Sequence, residues 1–251
     1  MKITALCCTY NRPRLLAYML WCFTQQTHQD RELIILDDAG QYRQTHGDRW
    51  RIVSVGERYP TLGAKRNALA QLAGETDALA IWDDDDLYTP WALEATCAAL
   101  EAAPWSRPSL ILARTQHGLR PLRTYREADK SDRAYHGSWG YLREAFWAVG
   151  GYPPEVSVGE DAALAVRFMR QRIPDADPIE LNHSPFYLFA PWGNVHLGMH
   201  SYEAWPLAPP SGEPITLEPR QPVVRLDTTA IQGELLRRPF GGNWLNYQRR
   251  N

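Results

Sequence analysis

Four consecutive aspartates, Asp83, Asp84, Asp85 and Asp86, follow directly on the apolar run Ala78-Leu79-Ala80-Ile81-Trp82. Adjacent carboxylates repel and raise one another's pKa, so such a cluster is costly unless something cationic sits among them. The run before the tetrad reads as a buried strand, and Thr89-Pro90 after it reads as an N-cap and first-turn proline opening a helix. This spacing predicts a strand-to-helix turn. In an open α/β sheet such turns sit at the carboxyl ends of the strands, where ligands bind, and carboxylate oxygens suit a hard divalent cation. A solvated acidic loop capping a helix is the competing account, and the location at the end of a buried strand favours the cation. A second acidic turn, Asp37-Asp38-Ala39-Gly40, ends the apolar run 32–36, so two such turns can converge on one crevice. A further pair, Glu160-Asp161, opens a segment whose apolar positions Leu164, Ala165, Phe168 and Met169 have helical spacing. Carboxylates in a first turn are favoured by the helix macrodipole, which makes capping the plain account of that pair.

The elements that must position these residues alternate in type. A strand at 3–8 is broken by Thr9-Tyr10-Asn11-Arg12-Pro13, a capping Asn and a first-turn proline, and a helix runs to about 26. Strands follow at 32–36 and 52–55, then a helix at 62–73 with Leu62, Leu69 and Leu72 inward and Gly74 at its end. Beyond the strand at 78–82 come a helix at 89–103 and a strand at 110–113. That order implies a largely parallel sheet with helices on both faces. Lys65 and Arg66 lie one turn into the helix at 62–73, where the macrodipole favours carboxylates; Lys65 reads as a solvated face and Arg66 as a ligand contact. From 114 to 140 the chain is polar, irregular and rich in Arg, His and Tyr, the pattern of a functional loop. A short helix at 142–149 stops at Gly150-Gly151, and 185–189 reads as a strand. Pro206, Pro209, Pro210, Pro214, Pro219 and Pro222 are too many for regular elements, so 206–251 reads as an extended tail with a short helix around 229–237.

A chain of 251 residues, 44% hydrophobic and 22% charged, is ample for one α/β domain with an appended segment. A formal charge of -2 argues neither for a nucleic-acid coat nor for a polybasic membrane anchor, and leaves room for local patches. Cys7, Cys8, Cys22 and Cys97 lack the spacing of a zinc site or redox pair and read as structural thiols of a reducing cytoplasm. Asn11-Arg12-Pro13 interrupts the amino-terminal apolar run too early for a signal peptide, and no run approaches the ~18 apolar residues of a membrane span.

With the segments placed, the chain resembles a family 2 glycosyltransferase of the GT-A fold, the nucleotide-sugar-dependent and mostly inverting group. The resemblance runs from Met1 to about His196. It rests on Thr9-Tyr10-Asn11, Leu36-Asp37-Asp38, Ala64-Lys65-Arg66-Asn67, the DxD region from Ile81 to Pro90, Val149-Gly150-Gly151-Tyr152, and Gly159-Glu160-Asp161 as the ED motif. The resemblance implies a GT-A mostly parallel twisted sheet flanked by helices, and a catalytic domain at 1–205 divided into a nucleotide-binding part (1–113) and an acceptor-binding part (114–205). The irregular C-terminal extension at 206–251, read from its prolines, falls outside the resemblance. Thr9, Tyr10, Asn11 and Asp38 would meet a uridine-like nucleoside, Arg66 the base or phosphates, and Asp83 and Asp84 the ribose and diphosphate. Asp85 would bind Mn²⁺ or Mg²⁺, with His196 as a further metal or phosphate ligand, and Asp161 would be the general base. Trp82 and Ala39-Gly40 depart from the family's usual residues.

The implied chemistry suits these residue types. A cation at the diphosphate stabilises the negative charge of a departing nucleoside diphosphate, and a carboxylate within ~3 Å of an acceptor hydroxyl can take its proton. The donor would be a UDP-sugar and the acceptor a saccharide, a lipid-linked saccharide, a protein or another hydroxyl. Two other readings compete. A nucleotidyltransferase would carry a glycine-rich loop after the first strand, where this chain has Thr9-Tyr10-Asn11-Arg12-Pro13; a non-catalytic nucleotide- or sugar-binding module would have lost the tetrad or Asp161.

Overall fold

The structure is a computed structural model and describes residues 1–115, 118–125 and 134–189. Its elements run β1 (Ile3–Thr9), α1 (Pro13–Thr24), β2 (Arg31–Asp37), β3 (Thr45–Gly47), β4 (Trp50–Ser54), α2 (Leu62–Leu72), β5 (Ala78–Ile81), β6 (Leu87–Tyr88) and α3 (Ala92–Ala102). They continue with β7 (Trp105–Ser106), β8 (Leu110–Thr115), β9 (Gly118–Arg123), a 3₁₀ turn (His136–Ser138), β10 (Gly140–Leu142), α4 (Arg143–Ala148), α5 (Glu160–Arg170), β11 (Asp175–Ala176) and β12 (Tyr187–Phe189).

An eight-stranded sheet in the order β11-β7-β10-β5-β1-β2-β4-β3 forms the centre. Its middle strands β5, β1, β2 and β4 are parallel, while β10 and β3 run antiparallel to their neighbours. The parallel strands are apolar on both faces because both faces are covered. Along β2, Leu33 and Ile35 join Leu16, Met19 and Phe23 of α1 in one core, whereas Ile34 and Leu36 join Leu69 of α2, Phe146 of α4 and Phe168 of α5 in the other. The sequence expectation of helices on both faces of a mainly parallel sheet therefore holds. Among the described residues, no helix is long and apolar enough to cross a membrane.

Four local expectations are corrected. The strand at 110–113 does not extend the main sheet; β8 belongs to a second, four-stranded sheet in the order β6-β12-β8-β9, and its hairpin with β9 gives the polar excursion after residue 114 partly regular structure. The aspartate tetrad lies between two strands, β5 and β6, instead of between strand and helix. Thr89 does not cap α3: its amide donates to the Phe186 carbonyl (2.8 Å), and the Gln26 side chain serves the helix start by accepting from the Leu93 amide (3.0 Å). Asn11 does not cap α1 either. It takes a left-handed conformation (φ 54), which Asn tolerates, and its side-chain oxygen accepts from Gln41, leaving Arg12 at the N-cap position. The proposed tail at 206–251 and His196 lie outside the described residues.

Candidate active site

The tetrad is held open by an aromatic clasp. Trp82 before it and Tyr88 after it are both buried and stack with ring centroids 3.7 Å apart. The Tyr88 hydroxyl accepts from the Asp83 amide (2.8 Å) and donates to the Gly137 carbonyl (3.0 Å). Trp82, where the family commonly has a smaller apolar residue, thus forms one jaw of this clasp.

Within it the four carboxylates fan out to four sets of partners. Asp83 accepts from Arg66 Nη2 (3.1 Å), and Asp84 accepts from the Thr9 hydroxyl (2.7 Å) and from Arg12 Nη1 (2.9 Å). Asp85 accepts from that same Arg12 nitrogen (3.0 Å), and Asp86 is buried against the Tyr187 hydroxyl. Burial pushes the Asp84 carboxyl up to about 6 and raises Asp85 as well, with the Arg12 guanidinium opposing both shifts. The positive charge described beside the aspartates comes from two arginines, Arg12 and Arg66, where the sequence reading names a divalent cation.

One turn of α2 ties the remaining pieces together. Its start is set by Thr61, whose hydroxyl accepts from the Ala64 amide (3.0 Å) in an ordinary N-cap. Gly63 packs directly on the loop before α5, where an added Cβ would lie 2.1 Å from the Pro153 carbonyl. Lys65, read from the sequence as a solvated residue, is instead buried: its ammonium donates to the Thr9 carbonyl (2.6 Å) and to Asp38 (2.5 Å). Such an ammonium is stable there because a carboxylate and a carbonyl replace its water. Arg66 spans Asp83 and Glu160 (3.2 Å), and Asn67 exchanges two hydrogen bonds with the backbone of Tyr152 (2.8 and 2.9 Å). Successive residues of one helix thus join the ends of β1 and β2, the tetrad, and the turn that follows Gly150-Gly151.

Glu160 and Asp161 part company. Glu160 is buried on Arg66, and burial raises its carboxyl against the opposing guanidinium. Asp161 faces a cavity of about 590 Å³ that is also lined by Thr9, Tyr10, Arg12, Arg66 and all four aspartates of the tetrad. His136, Gly137, Tyr135 and Tyr187 line it as well. Gly137 is required by space: a Cβ there would sit 2.7 Å from the Tyr187 hydroxyl and 2.9 Å from Asp83 Oδ2. His136 is buried, shares a 2.7 Å hydrogen bond with the Tyr152 hydroxyl, and has its pKa pushed well down by burial and then by Arg66. Burial holds the Cys8 thiol up at about 11 and raises Cys7 too, so neither is a ready nucleophile.

Of the residues singled out from the sequence, Thr9, Tyr10, Arg66, Asp83, Asp84, Asp85 and Asp161 meet in this cavity. Asn11 is exposed beside it, and Asp38 lies behind Lys65 with its other oxygen accepting from the Tyr59 amide (3.1 Å). Sequence reasoning missed Arg12, Lys65 and His136. Arg12 was findable, since it stands within the Thr9–Pro13 break and the tetrad needed a cation; His136 had no local signal. Among the described residues, no three His, Cys, Asp or Glu side chains converge on a ready-made ion site. The donor set nonetheless suits Mn²⁺ or Mg²⁺: Asp83 and Asp85 offer hard oxygens into the cavity, and such ions commonly take one or two carboxylates and complete their shell with phosphate and water.

The fold and this acidic crevice define a GT-A-type architecture. The chain superposes on S. aureus TarS residues 1–349 in complex with UDP-GlcNAc with a TM-score of 0.59, at 14% identity, over 75% of this chain and 58% of that one. The UDP complex of the same TarS fragment gives 0.59 at 13% identity, over 75% and 60%. At the sequence level, residues 4–150, more than half of the chain, match the glycosyl transferase family 2 model, and the chain belongs to that family. It is also 32% identical over 116 residues to the uncharacterized glycosyltransferase YwdF of Bacillus subtilis (strain 168), a stretch covering 41% of this chain and 40% of YwdF. The chain therefore spans less than two-thirds of the length of these relatives.

Proposed function

We infer that this chain moves a sugar from a nucleoside-diphosphate sugar, a UDP-sugar, to an acceptor hydroxyl by an inverting displacement in which Asp161 is the general base. One observation carries the reading: Asp161 and the aspartate tetrad line the same cavity, while Glu160, the neighbouring carboxylate, is already committed to Arg66. The site thus offers one carboxylate with no ion pair among the described residues for an acceptor proton, its Oδ1 accepting from the Ala162 amide (2.8 Å), and a separate acidic group for the donor's diphosphate. In this reading Thr9, Tyr10, Asn11 and Asp38 belong to the nucleoside end, with Lys65 fixing Asp38 and the Thr9 backbone. Arg66 holds Asp83, and Asp84 orients Thr9 and Arg12. Asp85, with Asp83, would hold Mn²⁺ or Mg²⁺, which when bound neutralises charge developing on the departing diphosphate. Residues 1–113 would then carry the donor, 114–205 the acceptor, and 206–251 an extension.

The reading is tested by calorimetric titration with UDP and with UDP-GlcNAc, in Mn²⁺ and in EDTA. Binding in Mn²⁺ that is lost in EDTA is expected. Equal affinity under both conditions would remove the cation from the scheme, and no binding of either nucleotide would remove the UDP-sugar donor.

A further inference from the structure

The geometry points to Arg12 as an exchangeable counter-ion that occupies Asp85 in the nucleotide-free protein and is transferred to the donor's diphosphate when the divalent cation takes Asp85. The inference rests on the proposed reading that a cation binds at Asp85. Its basis is an asymmetry between two neighbouring carboxylates that share one guanidinium nitrogen. Arg12 Nη1 lies 2.9 Å from Asp84 and 3.0 Å from Asp85. Asp84 has a side chain only 4% exposed and a second fixed partner in the Thr9 hydroxyl, so it cannot leave. The Asp85 side chain is 26% exposed, faces the cavity, and has Arg12 as its side-chain partner. Arg12 itself is 24% exposed, enough for its fork to turn outward while its stem stays in place.

Charge makes the exchange favourable. Without a ligand, Arg12 offsets two adjacent carboxylates whose mutual repulsion would otherwise be uncompensated. An arriving divalent ion offsets them better, and two cations then compete for one carboxylate. A diphosphate beside the ion resolves the competition, since a guanidinium matches phosphate oxygens in a planar, two-toothed geometry. Arg66 cannot play this part because Asp83 and Glu160 hold it from two sides, and Lys65 is likewise spent on Asp38 and the Thr9 carbonyl. Ion and nucleotide binding are then linked through Arg12, and each must raise the affinity for the other by the same factor.

The experiment measures Mn²⁺ affinity by electron paramagnetic resonance of the free ion, with and without UDP, on the full chain and on Arg12→Gln, Arg12→Lys and Asp85→Asn. Without UDP, Arg12→Gln should bind Mn²⁺ about tenfold or more tighter than the parent, since its competitor is gone. With UDP present the gain should vanish, because there Arg12 of the parent holds the diphosphate. Arg12→Lys, which keeps the charge and preserves the fold if the glutamine variant does not, should show a smaller gain of the same pattern, since an ammonium still competes for Asp85 but lacks the planar fork that holds the diphosphate. Equal Mn²⁺ affinity in parent and Arg12 variants, alongside a loss in Asp85→Asn, would overturn the exchange and leave the cation at Asp85 intact. A gain of the same size with and without UDP would reduce Arg12 to a distant repelling charge and also overturn it. Unchanged Mn²⁺ affinity in Asp85→Asn would overturn both the exchange and the reading beneath it.

Discussion

Asp83 to Asp86 and Glu160-Asp161 are both runs of adjacent carboxylates, but they solve the problem of repulsion differently. The tetrad lies in an irregular connection between β5 and β6, where successive side chains can diverge in any direction, and each reaches an arginine or a hydroxyl, Asp84 and Asp85 sharing Arg12. The pair lies on α5, where neighbouring residues are rotated by about 100°, so that burying one on Arg66 leaves the other facing the cavity. A turn can satisfy every member of an acidic run; a helix satisfies one and presents the next. The tetrad is accordingly a partly neutralised scaffold with one releasable member, and the pair is one structural acid beside one chemically available acid.

That contrast is sharpest at Asp161. Asp161→Asn should lower turnover of the UDP-sugar selected by calorimetry about 10²-fold or more, the loss expected for a positioned base. Donor affinity should stay within about twofold, and stability should fall by no more than the ~0.5–2 kcal/mol of a helix-start substitution. UDP release, calorimetry and melting temperature on one variant check all three, and near-normal turnover would break the distinction between the two acids of α5.

Next in size is the contrast inside the tetrad. Asp84→Ala strands a half-buried arginine and a buried threonine hydroxyl and should cost about 3 kcal/mol in ligand-free urea unfolding, as when one partner of a buried ion pair is removed. Asp85→Ala removes a partly exposed contact and should cost under about 1 kcal/mol, while abolishing the Mn²⁺-dependent part of UDP binding. Equal destabilisation by the two substitutions would mean that the tetrad is structural throughout.

Glu160→Gln keeps an acceptor for Arg66 but removes the charge. It should cost about 1 kcal/mol of stability and reduce turnover far less than Asp161→Asn; a larger loss of turnover would transfer the role of base to Glu160. An effect confined to acid pH concerns His136. Its pKa is lowered in the folded protein, so the unfolded chain binds the extra proton first: His136 contributes stability that is present above its unfolded pKa of about 6.5 and is lost as pH falls below it. His136→Gln should remove that component, flattening the fall of stability below pH ~6.5 by up to about 1.4 kcal/mol per pH unit relative to the parent. Parallel slopes in urea unfolding at pH 5 to 7 would show that His136 is not held neutral.

Much of the architecture was legible in the residues themselves. Continuous apolar runs at β1, β2 and β5 can be buried on both faces only in a parallel core. Acidic residues directly after β2 and β5 had to emerge at the same sheet edge, since parallel neighbours end together. The family's motifs marked Asp83 to Asp85 and Asp161 as the candidate site, and these residues do share a cavity. What tertiary structure alone decided is the partner each side chain takes. An apolar run at 110–113 specifies a strand but not its sheet, and only packing put β8 beside β12. Lys65 looks like any helix-surface lysine until the end of β1 and Asp38 are brought against it. Arg12 and Arg66 reach the tetrad from loops and helices far away in the chain, and Glu160 yields the cavity to Asp161 only because Arg66 stands on one side of α5. Local periodicity records which face of an element is buried; the pairing of charges depends on distances between elements, which no local pattern encodes.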